Sequence, residues 1–191
     1  MDLDPEVVAS LVVAYQPTAY LRVTPIAHRA TPLGMGFGKT RFASPTDAFK
    51  LLYIAENLAT SVAEVIIRDR FEGTTARELT AGELAGCGVA EVSARVPLRL
   101  LDMRTAGCFL LGVSTDITGA KAQDEARQFS RAVFGQTDLD GILYLSRLTG
   151  RTCVAVYDRA VARKLEAGPV HELETLAALV PALAALRIVL I

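Results

Sequence analysis

Histidine, cysteine and lysine are scarce in this chain of 191 residues. With only two histidines, His28 and His171, a multi-histidine metal site is excluded. Three cysteines, Cys87, Cys108 and Cys153, are an odd number, widely spaced, and form no CxxC pair. They read as reduced core residues, not a disulfide frame or a zinc site. Charge of one sign is also missing: 20 basic residues face 21 acidic ones, for a net charge of −1. That balance excludes a protein that holds nucleic acid through bulk phosphate attraction. Of the 20 basic residues 16 are arginine, the residue suited to forked contacts with phosphate or carboxylate. The opening MDLDPEVVAS carries acid where a secretory leader needs base, so a cytoplasmic protein is expected. No clean run of ~20 apolar residues exists to span a membrane. The most apolar stretch, Leu176 to Ile191, is interrupted by Pro181 and Arg187 and reads as a buried helix followed by a core strand.

What is present is a globular composition, 51% apolar and 21% charged, at a length that suits one domain. There is no repeat and no linker, so residues 1–191 are taken as one domain. A helix capped by Asp4, with Pro5 at its first position, is expected to run from Asp4 to Tyr15. Tyr20 to Thr24 alternates as a half-buried strand. A Gly- and Pro-rich loop follows from Pro25 to Asp47, then a short strand, Leu51 to Ala55. A helix over Thr60 to Phe71 carries an apolar stripe of Leu58, Val62, Val65 and Ile66. Further on come a short helix over Thr75 to Leu84 and strands in VAEVSARV, LRLLDM and CFLLGV. A helix over Thr118 to Phe134, a strand entered from an Asp–Gly turn at Asp138 to Ser146, and a strand CVAVY complete the pattern. Strands and helices are interspersed without a βαβ rhythm, which predicts an α+β fold with a mixed sheet.

Several motifs fail on spacing. GMGFGKT, Gly34 to Thr40, has leucine at position 33, where a phosphate loop needs its first glycine. Gly34, Gly36 and Gly38 alternate and do not make the dinucleotide GxGxxG. They leave a flexible loop that permits close ligand approach. Ser146 lies in LYLSRL, not in a GxSxG elbow, and His171 has no acid partner in view. Taken singly, the remaining polar residues have bland readings. Glu64 falls about 150° from the centre of its helix's apolar stripe and precedes Arg68 by four, which predicts an exposed ion pair. Arg22 suits an edge ion pair, Tyr53 a half-buried core position, and Ser146 a turn.

Their joint arrangement resembles the RES-domain family, the toxin half of bacterial Xre–RES toxin–antitoxin pairs. The matching pieces are YLRV with Arg22, GKTRFASP with Gly38, Arg41 and Phe42, LLYIAENLATSVAEVIIRDRF with Tyr53 and Glu64, and DGILYLSRLTG with Ser146. They run in order from Tyr20 to Tyr157. Many relatives have Trp and Asn after the loop arginine, where this chain has Phe42 and Ala43. The aromatic is kept and a hydrogen bond from Asn is lost.

The resemblance implies a fold similar to ADP-ribosyltransferase toxins, with a mainly antiparallel sheet flanked by helices. It implies an enzyme that consumes NAD+ as a substrate, as an ADP-ribosyltransferase, NAD glycohydrolase or phosphorylase, without a metal. It also implies a helix-turn-helix antitoxin as partner, with no direct binding of nucleic acid or membrane. By the same resemblance Glu64 is the expected catalytic carboxylate. Arg22, Arg41 and Lys39 are expected at the pyrophosphate, Tyr53 at the nicotinamide ribose end, Ser146 as a further polar contact, and Gly38 in a loop that covers the site. Breaking the nicotinamide–ribose bond leaves a cationic ribose, which a fixed carboxylate stabilises. The acceptor of ADP-ribose stays open between a protein, phosphate and water. A second reading, a non-catalytic module that docks the antitoxin, also stays open. A mean hydropathy of +0.34 adds the expectation of an apolar interface.

Overall fold

The computed structural model describes residues 1–191. Helix α1 (Pro5–Ser10) is capped as its sequence predicts: the Asp4 carboxylate accepts the amide hydrogens of Glu6 and Val7 at 2.9 and 3.3 Å. The helix does not reach Tyr15. Val12 and Val13 favour extended backbone, and Val12–Tyr15 forms strand β1 instead. Strand β2 (Tyr20–Pro25) leads into the long loop, whose only regular piece is a single 3-10 turn, Ile26–His28. Strand β3 (Leu51–Ala55) follows, then helix α2 (Leu58–Val62), which widens into a π turn, Ala63–Ile67. The segment expected as one helix over Thr75 to Leu84 divides into β4 (Glu78–Leu79) and α3 (Ala81–Leu84).

Strands β5 (Cys87–Ala94) and β6 (Leu98–Asp102) are present, but CFLLGV is not a strand. It begins in helix α4 (Gly107–Leu110); a short apolar run does not by its periodicity distinguish strand from helix. Two helices, α5 (Asp116–Gly119) and α6 (Asp124–Gln136), replace the single one expected from Thr118. Strands β7 (Gly141–Leu145) and β8 (Thr152–Tyr157), helix α7 (Asp158–Lys164), and strands β9 (Leu165–Ala167) and β10 (His171–Glu172) follow. The apolar end forms helix α8 (Leu179–Ala185), which buries Leu179, Ala182 and Leu183. Strand β11 (Val189–Leu190) then pairs in parallel with β4, and Val189 is 60% exposed. The core strand expected there is therefore a surface strand anchored by buried Ile188.

The large sheet runs β1-β6-β7-β8-β3-β2-β5-β10, with β9 also on β5. Every pairing in it is antiparallel except β6 with β7. This is the mixed, mainly antiparallel α+β sheet that the sequence predicts. Strand alternation sorts the core into two faces. Leu51, Ile142, Cys153, Ala155 and Tyr157 face α6, against its fully buried Phe129 and Val133. Leu52, Ile54, Leu143, Val154 and Val156 face Ala160 and Val161 of α7. A third cluster joins Val62 of α2 to Leu179 and Leu183 of α8.

Gly141 is not part of an Asp–Gly turn. A Cβ there would lie 2.1 Å from the Ala155 carbonyl oxygen, so the close β7–β8 approach requires glycine. Asp140 is fixed beside it, accepting from the Arg99 amide at 2.7 Å and from Lys164 Nζ at 2.6 Å.

Candidate active site

A cleft of about 700 Å³ opens over β2, β3 and the ends of β7 and β8, within the size range of small-molecule sites. Arg22, Lys39, Arg41, Tyr53 and Glu64 all line it. Gly38 does not: it is exposed, and of the glycine loop only its end, from Lys39 onward, reaches the cleft. Ser146 is buried behind the wall and reaches the cleft only through Glu64.

Glu64 owes its position to the π turn. Asn57 caps α2 through the Thr60 amide at 2.9 Å, and the helix is ordinary as far as Val62. The Arg68 amide then donates to the Ala63 carbonyl at 2.8 Å, an i→i+5 bond in place of i→i+4. The extra residue per turn moves the side chains out of the 100° register. Val65, expected in the apolar stripe, is 46% exposed and lines the cleft. Glu64, expected in solvent and paired with Arg68, is half-buried and pairs with Ser146.

The Ser146 hydroxyl accepts the amide hydrogens of Leu148 and Thr149, each at 3.2 Å. Its single proton is thereby directed at Glu64 Oε1, 2.5 Å away. Glu64 Oε2 makes no hydrogen bond within the protein and is free to face a ligand.

The Tyr53 hydroxyl is similarly oriented. It accepts from Thr40 Oγ1 at 2.8 Å and from the Phe42 amide at 3.2 Å, which leaves its own proton available. Burial pushes this hydroxyl up to about 12, against the lowering effect of those two bonds, so it is neutral at any physiological pH. The loop that brings Thr40 and Arg41 is pinned from α6. Arg127 donates to the Lys39 carbonyl at 2.9 Å and to the Thr40 carbonyl at 3.3 Å. Phe42 is fully buried, edge-on to Tyr144 at 5.1 Å, and so takes the place of the aromatic expected after the loop arginine.

The two arginines lack counter-ions. Arg41 is 9% exposed, and its one hydrogen bond goes to the Ile117 carbonyl at 3.4 Å. Arg22 donates from Nη2 to the Gly34 carbonyl at 2.6 Å, while its Nη1 is buried with no partner. Burial lowers the pKa of both guanidinium groups; for Arg41 this outweighs the raising effects of Tyr144 and Glu64.

Thr40, Arg68, Tyr144, Arg147 and Cys153 also line the cleft, and sequence reasoning did not single them out as site residues. Tyr144 and Cys153 are cross-strand partners on β7 and β8, and burial raises both their pKa values. Arg147 follows Ser146 directly and pairs with Asp69. Its neighbour in sequence was the one available signal.

The cleft of this α+β domain thus brings together cationic side chains, two oriented hydroxyls and one fixed carboxylate. The chain belongs to the RES domain family, which matches residues 16–175. It is 35% identical over 82 residues to a protein described as probable toxin y4kH of Sinorhizobium fredii (strain NBRC 101917 / NGR234). That match spans 42% of this chain and 65% of the relative, slightly under two thirds of its length. The fold is similar to one in the crystal structure of the M. tuberculosis MbcT–MbcA toxin–antitoxin complex, with a TM-score of 0.66 and 19% identity. The alignment covers 88% of this chain and 92% of that one. No helix is long and apolar enough to cross a membrane.

Proposed function

We infer that the protein is the toxin of a toxin–antitoxin pair and acts by consuming NAD+. The observation that carries this reading is the pair of desolvated, uncompensated guanidinium groups, Arg22 and Arg41, in the cleft that Glu64 enters. A desolvated charge without a paired carboxylate is costly to the fold, and an anionic ligand with several phosphate oxygens offsets that cost. Forked arginine contacts suit a pyrophosphate. Family membership supports this substrate class, and the likeness to proteins described as toxins supports the biological role.

The chemistry follows from the groups present. The bond between ribose C1′ and the nicotinamide nitrogen breaks, and its electron pair leaves with the nitrogen as neutral nicotinamide. Positive charge develops on the ribose, and Glu64, held by Ser146, stabilises it electrostatically. The Tyr53 hydroxyl, with its proton unclaimed, offers a hydrogen bond to the ribose end. An acceptor oxygen then bonds to C1′ and gives up its proton. Phosphate, water and a protein side chain all complete the same step. The antitoxin partner is expected to be a helix-turn-helix protein, and Val65 and Leu148, both apolar and exposed at the cleft, suit its contact.

The test is nicotinamide release from NAD+ by the purified chain, in phosphate buffer, in phosphate-free buffer, and with cell lysate. Release that needs phosphate identifies a phosphorylase, and release in plain buffer a glycohydrolase. Release only with lysate, with labelled ADP-ribose on a protein, identifies a protein-modifying transferase. Folded protein that releases nothing in any condition would replace this reading with a binding module.

A further inference from the structure

Four non-glycine residues have positive φ: Ala19, Asp47, Arg68 and Arg187. Arg187 follows the end of α8, where a left-handed residue is common. Only Arg68 lines the cleft. Its φ of 51° and ψ of −122° are those of the first corner of a type II′ turn, a position dominated by glycine. The turn closes with the Arg70 amide donating to the Ile67 carbonyl at 3.0 Å. An arginine with a Cβ and a long side chain is a strained choice there.

The surroundings hold the strain in place. The Arg68 amide is bonded across the π turn to the Ala63 carbonyl at 2.8 Å. Asp69, the second corner, pairs with Arg147, and Arg70 pairs with Glu83. The turn is therefore tied to the strand end that carries Ser146 and to α3. Three other cations of the cleft are committed to carboxylates: Arg70 to Glu83, Lys121 to Glu72, and Arg147 to Asp69. The Arg68 guanidinium alone has neither an ion pair nor a hydrogen bond. Its strained backbone thus brings an uncommitted charge into the cleft, one π turn beyond Glu64.

We propose that Arg68 is a substrate-binding residue that grips phosphate oxygens of the dinucleotide from the turn that follows Glu64, and that its backbone strain is kept for this contact. The assignment rests on the reading of the cleft as a dinucleotide site. It distinguishes Arg68 from a solvated surface charge, whose replacement by glycine would bring only relief.

Stability and binding should therefore move in opposite directions. Arg68→Gly relaxes the turn and should raise the melting temperature by about 2–4 °C. The same change should weaken ADP-ribose binding, and raise KM for NAD+, by about 10-fold, the scale of a lost charge-assisted contact, with kcat within about 2-fold. Arg68→Ala keeps the Cβ and loses the charge, so it should match the glycine variant in binding without its gain in stability. Arg68→Lys should recover part of the affinity. An Arg68→Gly protein that binds ADP-ribose and turns over NAD+ as the wild type does would overturn the assignment, whatever its melting temperature. So would equal weakening in Arg68→Lys and Arg68→Ala. Wild-type protein that binds neither NAD+ nor ADP-ribose would instead refute the dinucleotide reading, and the assignment with it.

Discussion

Ser146 gives its only proton to Glu64 across 82 residues of sequence, at 2.5 Å, because both of its lone pairs are taken by backbone amides of its own turn. The serine is thus a positioning residue: it fixes one carboxylate oxygen and leaves the other to the ligand. Ser146→Ala should lower kcat by about 10-fold, as expected when a charged group loses a bond worth about 1.5–3 kcal/mol and part of its orientation. KM should change little. Ser146→Thr, which restores a hydroxyl, should recover part of the rate, and failure of that rescue together with an altered KM would place Ser146 in ligand binding instead.

Glu64→Gln retains shape and loses charge. It should lower kcat by about 100-fold or more, with KM for NAD+ within a few-fold and an unchanged melting temperature, since no cation depends on Glu64 for an ion pair. Steady-state nicotinamide release checks this. A variant with full turnover would remove Glu64 from the reaction.

The Glu64 geometry shows where sequence reading stops. The short apolar runs LLYIA and CVAVY place β3 and β8 because each coincides with a strand paired along its length. The same logic applied to the helix assumes a constant 100° per residue, and the i→i+5 bond from Arg68 to Ala63 breaks that assumption just at Glu64. The four chain segments that meet in the cleft were legible only as a family resemblance. No spacing rule brings Arg22, Arg41, Tyr53 and Glu64 together before the strand order is known. The misassigned segments fail for different reasons. Val12 and Val13 at β1 take their state from β6, far along the chain. In α4, Phe109 is 83% exposed, so an apolar run there does not mark a buried strand.

The pair of Arg147 with Asp69 makes a pH-dependent prediction. Arg147's hydrogen bond is the main cause that holds the Asp69 carboxyl below its ordinary value of 3.8. A depressed folded pKa means stability that is present above the unfolded value and is lost as pH falls through the folded one. Arg147→Ala should therefore melt below the wild type by a constant margin from pH 5 to 8, and that margin should shrink as pH drops below about 3.8. A margin independent of pH down to acid unfolding would mean that Arg147 acts through packing alone.

Close approach at Gly141 should make β7 intolerant of any side chain there. With a Cβ 2.1 Å from the Ala155 carbonyl oxygen, Gly141→Ala forces the β7–β8 pair apart. A loss of about 3 kcal/mol in urea unfolding is expected, at the upper end of the usual cost of overpacking. The effect should reach the site too, since Tyr144 and Cys153 are partners in the same ladder.

The buried arginines should show a trade between stability and binding. Arg22 carries an unpartnered Nη1, so its charge costs the free protein stability that a ligand restores. Burial lowers the pKa of this guanidinium, the same desolvation that makes its charge costly to the free protein. Arg22→Met keeps much of the apolar stem and removes the charge. It should melt at or above the wild-type temperature in the absence of ligand while raising KM for NAD+ by about 100-fold. Saturating NAD+ should stabilise the wild type by several degrees and the variant hardly at all. A variant that loses stability without losing affinity would show that Arg22 is held by the fold for the fold, through its bond to Gly34, and that the phosphate contacts fall to the other cations of the cleft.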